Sequence, residues 1–512
     1  MKRRPRYHRL RRPGGFVAAA SPASRNVAAE EEPRDGRPLR RTAIAFGYLA
    51  AATVAGQLIG FAALTIVARR VGAASLGAYS FDLVLATYVG IAGNFGVTYL
   101  TMRDVSQHAA DRYRLLLEAS LLVAIVLLPL SVFMVLCGHL LLPDAAERRV
   151  LVAVMLSVVI TALTPSWYLL ACRHSRAVAV ASFAGQVIYG LLVVTLVGAG
   201  GTAIVRYAWF NVTGLIITGL IVLAVVGSAW RQDRVGFRRT LTQAVGNLPR
   251  RIRRSAPFGY SLVVLQLYGT AAIPLLGVTV GARQVGIYAV AARLPLALVT
   301  LANVWLAVFF PHGSTAAMQA AHILRRDVGR VLSVTAVASI TLACAAPFAA
   351  RELMPLMFGR AFASAAAPFA LLSVACALVL IQATTSNVLL AVGLERLYGK
   401  LITIVALIMI TADIPLCIYL GATGGAIAAV GAEALIVGLT GTAARRALGG
   451  LDLDFAVVRW AIPMAAGILA AGLVLEAARA SIFDLFVPGA VGLALVALTR
   501  GAVRLYTYVV VA

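Results

Sequence analysis

The sequence predicts an all-α polytopic membrane protein with about 14 transmembrane helices, arranged as two parallel six-helix repeats plus two C-terminal helices. Three observations lead to this prediction. The 512 residues are 61% hydrophobic and only 13% charged, whereas a soluble domain is about 45–50% apolar and about 25% charged. Apolar windows of membrane-spanning length recur along the whole chain. A segment of the first half is also repeated in the second half.

Each apolar window approaches or exceeds the roughly 20 residues that a spanning helix needs. The fourteen windows lie near residues 42–68, 77–100, 115–142, 150–172, 177–200, 203–229, 256–280, 286–311, 328–350, 364–392, 397–420, 422–443, 460–477 and 482–499. They divide the chain into five parts. These are a disordered basic cytoplasmic tail (1–41), a six-helix lobe (42–230), a basic cytoplasmic linker (231–255), a second six-helix lobe (256–444) and two further helices (445–512).

The net charge of +25 is carried almost wholly by arginine. With the N-terminus placed inside, 35 of the 45 Lys and Arg residues fall in inside segments and only 9 in outside loops. Because positive charge is retained in cytoplasmic loops, this bias predicts that both termini are cytoplasmic. The charges lie in short loops between apolar windows, and no nucleic-acid-binding motif occurs. Membrane lipid is therefore the expected partner, and nucleic acid is not.

The stretch from Gln57 to Asn94 matches the stretch from Gln266 to Asn303 when the sequence is shifted by 209 residues. The match has 12 identities in 38 positions without a gap, and unrelated stretches of this composition would agree at roughly a tenth of positions. Two weaker matches follow in the same order, LLACRHSR with LLAVGLER and GAGGTAI with GATGGAI. The repeat unit holds six helices, an even number, so both copies should enter the membrane in the same direction.

Several segments resemble the polysaccharide-export flippases, whose superfamily also holds the multidrug-and-toxin extrusion transporters and the lipid II flippases. VGAASLGAYSFDLVLATYVGIAGNFGVTYLTMRDVS is similar to the family's first two-helix signature, and VGIYAVAARLPLALVTLANVWLAVFFPHGS to the signature that opens the second lobe. The resemblance extends over FGRAFASAAAPFALLSVACALVLIQATTSNVLLAVGLERLYGKL and GATGGAIAAVGAEA, and covers roughly residues 42–443.

This resemblance implies a flippase that moves polyprenyl-diphosphate-linked oligosaccharide repeat units across the bacterial inner membrane by alternating access. The products would be surface polysaccharides such as O-antigen, capsule or exopolysaccharide. A lipid-linked glycan is then the substrate, and a polysaccharide polymerase and glycosyltransferases are candidate partners. Two functions on the same fold stay open, a cation-coupled multidrug antiporter and a lipid II flippase.

Arg293 stands about seven residues inside a predicted helix, a costly place for a charge. A guanidinium presents fixed donors to phosphate, so Arg293 is the first candidate for binding the anionic head group. Two structural roles compete with this one, an ion pair between helices and snorkelling to the membrane surface. The first repeat has Val84 at the equivalent position, so the duplication itself does not require a charge there.

Three carboxylates inside apolar windows, Asp82, Asp413 and Glu433, are candidates for coupling transport to an H⁺ or Na⁺ gradient. Any of them could instead be the ion partner of Arg293. Four amides at repeat-equivalent positions are further candidates for binding sugar hydroxyls: Gln57, Gln266, Asn94 and Asn303. Hydrogen bonding between helices is the favoured interpretation of these amides.

No catalytic motif occurs in the sequence. There is no GxSxG, no Walker A motif and no HExxH spacing, so we expect no catalytic residues, no metal site, no cofactor and no enzyme activity. A glycan polymerase or ligase would be the main enzymatic alternative. The short predicted outer loops argue against it.

Overall fold

A computed structural model describes residues 37–107, 111–198, 200, 202–230, 237–319, 321–450 and 465–470. Within these ranges the chain is helical and contains no strand, so the prediction of an all-α polytopic membrane protein is confirmed. The described residues from Leu49 onward form one compact unit, and those before it form a separate unit at the start of the first helix.

Fourteen helices and one 3-10 helix make up the described structure. They are α1 (Arg37–Asn94), α2 (Val97–Gln107), α3 (Arg112–Leu141), α4 (Ala145–Leu163), α5 (Ser166–Ala171), α6 (Ser175–Leu196), α7 (Ala203–Trp230), α8 (Phe237–Thr270), α9 (Ala272–Thr279), α10 (Ala282–Gln319), α11 (Ala321–Phe358), a 3-10 helix (Arg360–Ala365), α12 (Ala366–Ala391), α13 (Glu395–Leu420) and α14 (Ala422–Leu448).

Ten described helices are long and apolar enough to cross a membrane, and the bent pair formed by α8 and α9 adds one more span. The apolar part of α1, Ala51–Asn94, has 44 residues, about 66 Å at 1.5 Å per residue. This is twice the roughly 30 Å of a bilayer core. Gly72 divides it, since its φ of 76° and ψ of 178° are not helical. The twelve resulting segments correspond to the twelve predicted windows between 42 and 443.

The remaining two windows, 460–477 and 482–499, lie outside the described residues except for the helical stretch 465–470. Two predicted boundaries differ from the structure. Helix α1 begins at Arg37, so residues 37–41 are helical rather than part of the tail. Helix α8 begins at Phe237, so residues 237–255 of the predicted linker continue directly into the seventh span. Because this stretch is rich in arginine, a search for apolar windows did not predict a helix there.

The two halves of the chain touch through two glycines that are equivalent in the repeat, Gly77 of α1 and Gly286 of α10. A Cβ added at Gly77 would lie 1.7 Å from the carbonyl oxygen of Ala282, and one added at Gly286 would lie 1.9 Å from that of Ala73. Ala73 and Ala282 are also equivalent under the shift of 209 residues. The contact is thus reciprocal, as expected where a two-fold axis passes through it. This reciprocity supports the proposal of two parallel repeats.

The buried core extends across this contact rather than forming one cluster in each half. Leu76 and Tyr79 of α1 belong to the same apolar cluster as Val285 and Tyr288 of α10. Phe358 and Phe362, at the end of α11 and just after it, also join this cluster and are fully buried. The guanidinium of Arg69 donates to the carbonyl oxygens of Leu356 and Met357, which further ties the two halves together at this end.

We expect Gly77→Ala to lower the free energy of unfolding by about 2 kcal/mol, because overpacking a close contact typically costs about 1–3 kcal/mol. Thermal unfolding of the purified protein in detergent measures the change. Gly438→Ala is the matched control, since its Cβ would meet nothing within 4 Å and alanine has the higher helix propensity. Equal melting temperatures for the two variants would contradict the close contact.

Candidate functional site

A pocket lies where the two halves meet, between α1, α7 and α10. Its cavity volume is about 40 Å³, well below the roughly 300–1,000 Å³ of ligand pockets, so a large ligand fits only if the two halves move apart. The α1 residues that follow Gly72 and line the pocket have the i, i+3, i+4, i+7 spacing of one helix face, and Leu64 comes from the part of α1 before Gly72. The lining residues are Leu64, Leu76, Tyr79, Ser80 and Leu83 of α1, Tyr207 of α7, and Ala289, Val290 and Arg293 of α10.

Arg293 is the charged member of this lining, and its side chain is exposed rather than enclosed by protein. Among the described residues no carboxylate forms an ion pair with it. Asp82, Asp413 and Glu433 therefore do not serve as its partner in this structure. Val84, the equivalent residue of the first repeat, is buried. The pocket thus combines an unpaired guanidinium with apolar walls.

Three buried tyrosines stand beside Arg293 on the side of the first half. The Tyr79 and Tyr207 rings are 5.2 Å apart at an interplanar angle of 70°, and the Tyr189 and Tyr207 rings are 5.9 Å apart. The charge of Arg293 acts on the hydroxyl groups of all three, and Tyr79 also interacts with Asn211. Tyr79 and Tyr207 also line the pocket, so its wall carries neutral aromatic side chains next to a positive charge.

The three amide candidates whose side chains are described do not come together around the pocket. Gln57 is exposed on α1, and Gln266 donates to Thr270 Oγ1 at 3.1 Å, which also meets the Tyr88 hydroxyl at 3.1 Å. Asn94 Oδ1 accepts from the backbone N–H and the hydroxyl of Thr98, at 3.1 and 2.8 Å, and so caps α2. The side chain of Asn303 lies outside the described residues. Gln266 and Asn94 thus both contact residues four positions along the chain, which differs from the hydrogen bonding between packed helices expected for them.

The three candidate carboxylates are all buried in the helix bundle. Asp413 of α13 is 1% exposed, and neither of its carboxylate oxygens has a hydrogen-bond partner among the described residues. Glu433 of α14 accepts at 2.7 Å from the Tyr268 hydroxyl through Oε1, while its Oε2 has no partner within the described part. Asp82 is 8% exposed on α1. Asp413 and Glu433 therefore retain free acceptor capacity.

Sequence reasoning missed the tyrosines of the pocket wall. One signal was available for Tyr79, because it is repeated as Tyr288 under the shift of 209 residues and lies on one helix face with Leu76 and Leu83. Tyr189 and Tyr207 carried no such signal. They lie more than 100 residues along the chain from Tyr79, and only the packing of α6 and α7 brings them to it.

The model of the polysaccharide biosynthesis protein family matches residues 45–316 of this chain, which is more than half of its length. The chain belongs to this family. Transport rather than enzyme activity, as predicted from the sequence, agrees with the family and with the fold. No curated protein matches the chain.

Solved structures with this fold are flippases and transporters. Lipid II flippase MurJ, in an inward closed conformation, is similar with a TM-score of 0.62 and 14% identity. The matched region covers 83% of this chain and 91% of the MurJ chain. An inward-facing multidrug resistance MATE family transporter of the MOP superfamily has a TM-score of 0.58 and 15% identity, covering 77% and 94%. A MOP superfamily transporter from Pyrococcus furiosus has a TM-score of 0.50 and 12% identity, covering 79% and 95%. At these identities the similarity establishes the fold alone.

We expect Tyr268→Phe to lower the free energy of unfolding by about 1–3 kcal/mol, the cost of leaving a buried polar group without its partner. Glu433 would then have no hydrogen bond to either oxygen. Denaturant unfolding in detergent measures the loss. Tyr260→Phe is the control on the same helix, because Tyr260 is exposed and makes only a long hydrogen bond of 3.3 Å to Thr403. If the two variants lose equal stability, the Tyr268–Glu433 contact does not stabilise the fold.

Proposed function

We propose that this protein is a flippase that moves polyprenyl-diphosphate-linked oligosaccharide across the bacterial inner membrane for the synthesis of a surface polysaccharide. The observation that carries this proposal is the guanidinium of Arg293, which lies in a pocket between the two halves and forms no ion pair among the described residues. The family match supports a role in polysaccharide synthesis. The sugar head and its diphosphate would enter the pocket once movement of the two halves has widened it, while the polyprenyl tail remains in the bilayer.

Electrostatics favour an anionic cargo over a cationic one. Two unit charges about 4 Å apart interact by about 4 kcal/mol at the effective dielectric constant of a protein site. A cationic drug beside Arg293 would be disfavoured by that amount, a factor of about a thousand in affinity. A diphosphate would be favoured, and a guanidinium binds it through two parallel hydrogen bonds. The pocket therefore argues against a cation-coupled multidrug antiporter.

A lipid II flippase is the second candidate, since the chain has the fold of lipid II flippase MurJ. Its cargo is also a lipid carrying sugars through a diphosphate, so Arg293 does not separate the two functions. The family match favours the polysaccharide precursor. Depletion separates the two, because loss of a sole lipid II flippase stops cell-wall synthesis, whereas loss of a polysaccharide flippase removes only the surface glycan.

Alternating access requires contacts that close each end of the pocket in turn. Gly77 and Gly286 pack at the end that the charge bias predicts to be periplasmic. At the opposite end, Gly96 of the first half lies against Phe258 and Gly259 of α8. Rocking of the two halves about the reciprocal contact would open one end while the other remains closed. The N- and C-termini would both be cytoplasmic, with the polymerase and glycosyltransferases as neighbours in the membrane.

Asp413 and Glu433 are the proposed sites of ion coupling, with Asp82 as the third candidate. A buried carboxylate that lacks partners is costly when charged, and binding of H⁺ or Na⁺ removes that cost. Asp413 lies close to Tyr288 of α10, the helix that also carries Arg293. Ion binding at Asp413 would thereby act on the helix that binds the cargo.

We expect Arg293→Ala to reduce surface glycan at least tenfold at unchanged protein level, because charge-assisted hydrogen bonds contribute about 1.5–3 kcal/mol. Arg293→Lys should retain part of the activity, since the charge remains without the planar fork. The assay is quantification of surface glycan in the native host. Arg283→Ala, an exposed arginine of the same helix, is the control and should behave as wild type. Wild-type glycan in the Arg293→Ala strain would remove Arg293 from the site.

We expect Asp413→Asn to abolish the acceleration of transport by an imposed ion gradient, because asparagine keeps the shape but binds no ion by charge. Reconstituted vesicles with a proton or sodium gradient give the rates. Glu395→Gln removes an exposed carboxylate at the start of the same helix and should leave the gradient response intact. Full acceleration in Asp413→Asn would exclude this residue from coupling.

A further inference from the structure

A buried cluster of ionic side chains joins the two halves of the chain away from the Arg293 pocket. Arg251 of α8 donates through Nε to Glu118 of α3, and its Nη1 lies 3.5 Å from Asp104 Oδ2 of α2. Asn247 Nδ2 donates to Glu118 Oε1 at 2.9 Å. Arg251 is 6% exposed and Glu118 is 1% exposed. The cluster lies at the end of the bundle that the charge bias predicts to be cytoplasmic.

Opening of this end would separate α8 from α2 and α3, and the two sides of the cluster would not be affected equally. Glu118 would keep the ion pair with Arg114 of its own helix, whose Nε lies 3.3 Å from Glu118 Oε1 without a hydrogen bond between them. Arg251 would lose both of its carboxylate partners, because they belong to the other half. Once this end opens, water hydrates the freed guanidinium but does not replace its charge-assisted contacts. An anion that binds Arg251 would restore those contacts and would thereby favour the open state.

A diphosphate has the chemistry to supply that anion. Arg254 follows Arg251 at the i+3 position, so the two guanidinium groups share one face of α8. Arg254 is 52% exposed at the side chain and only loosely paired, 3.8 Å from Asp104 Oδ1. Two guanidinium groups one turn apart match two linked phosphates, and each can bind a phosphate through parallel hydrogen bonds.

We propose that Arg251 and Arg254 form an entry site for a diphosphate group, which replaces Glu118 and Asp104 and thereby opens this end of the bundle. The identity of the diphosphate as the head of a lipid-linked cargo rests on the proposed function. The ionic contacts of Arg251 and Arg254 do not rest on the proposed function. While Glu118 and Asp104 are bound to the arginines, the cluster is a latch that holds this end of the bundle closed. When the two carboxylates are displaced, Arg251 and Arg254 bind the diphosphate.

Ser255 provides a reporter for this opening, since it is fully buried on α8 one turn after Arg251. In the full-length protein carrying Ser255→Cys, the rate of maleimide labelling is read at residue 255 by peptide mass spectrometry. We expect Glu118→Gln to raise that rate at least about fivefold, because the latch loses its central charge. Arg250→Gln, which removes an exposed neighbouring arginine, should leave the rate unchanged. Thr101→Cys, also fully buried, is the second reporter if Ser255→Cys does not fold. Because the Thr101 hydroxyl lies 3.4 Å from Arg251 Nη1, rates are then compared with that of Thr101→Cys alone.

The ligand is tested with inorganic pyrophosphate and with farnesyl diphosphate added to the reporter protein. Both should raise the labelling rate, and Arg254→Gln should raise the half-effective concentration at least about threefold, whereas Arg250→Gln should not. A response to pyrophosphate alone would indicate a soluble-anion site and overturn the assignment to a lipid-linked cargo. No response to either, or an unchanged rate in Glu118→Gln, would overturn the latch.

The same measurement in Arg293→Ala separates this inference from the proposed function. The labelling response should persist there, because the latch lies apart from the pocket. A response that disappears with Arg293 would mean that the diphosphate acts in the pocket and not at Arg251, which would overturn the entry site. Conversely, if diphosphates do not raise the labelling rate but the protein still transports its cargo, the latch is overturned and the proposed function remains in place.

Discussion

The constraint on which this account depends is the cost of a positive charge that stands in an apolar helix and has no carboxylate partner in the part of the chain that the structure describes. Arg293 stands in a pocket whose other lining residues are apolar or neutral. A charge in a membrane helix is unfavourable unless it has a partner, so a guanidinium in such a place is a candidate for binding an anionic ligand. Its site between the two halves also means that any bound anion would contact the surfaces that must move relative to each other.

The reciprocal contact of Gly77 with Gly286 gives this pocket a definite place in the architecture. Both glycines allow the backbones of α1 and α10 to approach more closely than any side chain would permit. Tyr79 lies two residues after Gly77, and Arg293 lies seven residues after Gly286. The pocket thus begins within about two turns of the contact. A small rotation about that contact would change the pocket while the helices remain intact.

The sequence predicted the helical architecture well because that architecture is encoded locally. Twelve apolar windows became twelve described segments, and the glycine near the first loop, Gly72, is where α1 breaks. The helix over residues 237–255 was missed because hydropathy identifies membrane spans and not amphipathic helices. The duplication was readable because Gln57 to Asn94 and Gln266 to Asn303 still share identities. The reciprocal contact of Gly77 with Gly286 was not predictable in this way, because it depends on how α1 and α10 pack.

The candidate sites were less predictable, because they depend on residues far apart in the chain. Arg293 was recognisable as an isolated charge in an apolar window, but nothing local indicated Tyr207 as its neighbour. Arg251 was one of eight basic residues in a predicted linker, and its contact with Glu118 joins positions 133 residues apart. Asn94 shows the reverse case. Its repeat with Asn303 suggested a cleft residue, whereas its side chain caps α2.

The central claim is tested most directly by equilibrium binding of a polyprenyl-diphosphate-linked oligosaccharide to the purified full-length protein and to Arg293→Glu. Reversal of the charge turns attraction of the diphosphate into repulsion, so the account predicts a loss of affinity of at least about a hundredfold. The same variant should bind a lipophilic cation more tightly than wild type does. Equal affinity of both proteins for the lipid-linked glycan would contradict the account.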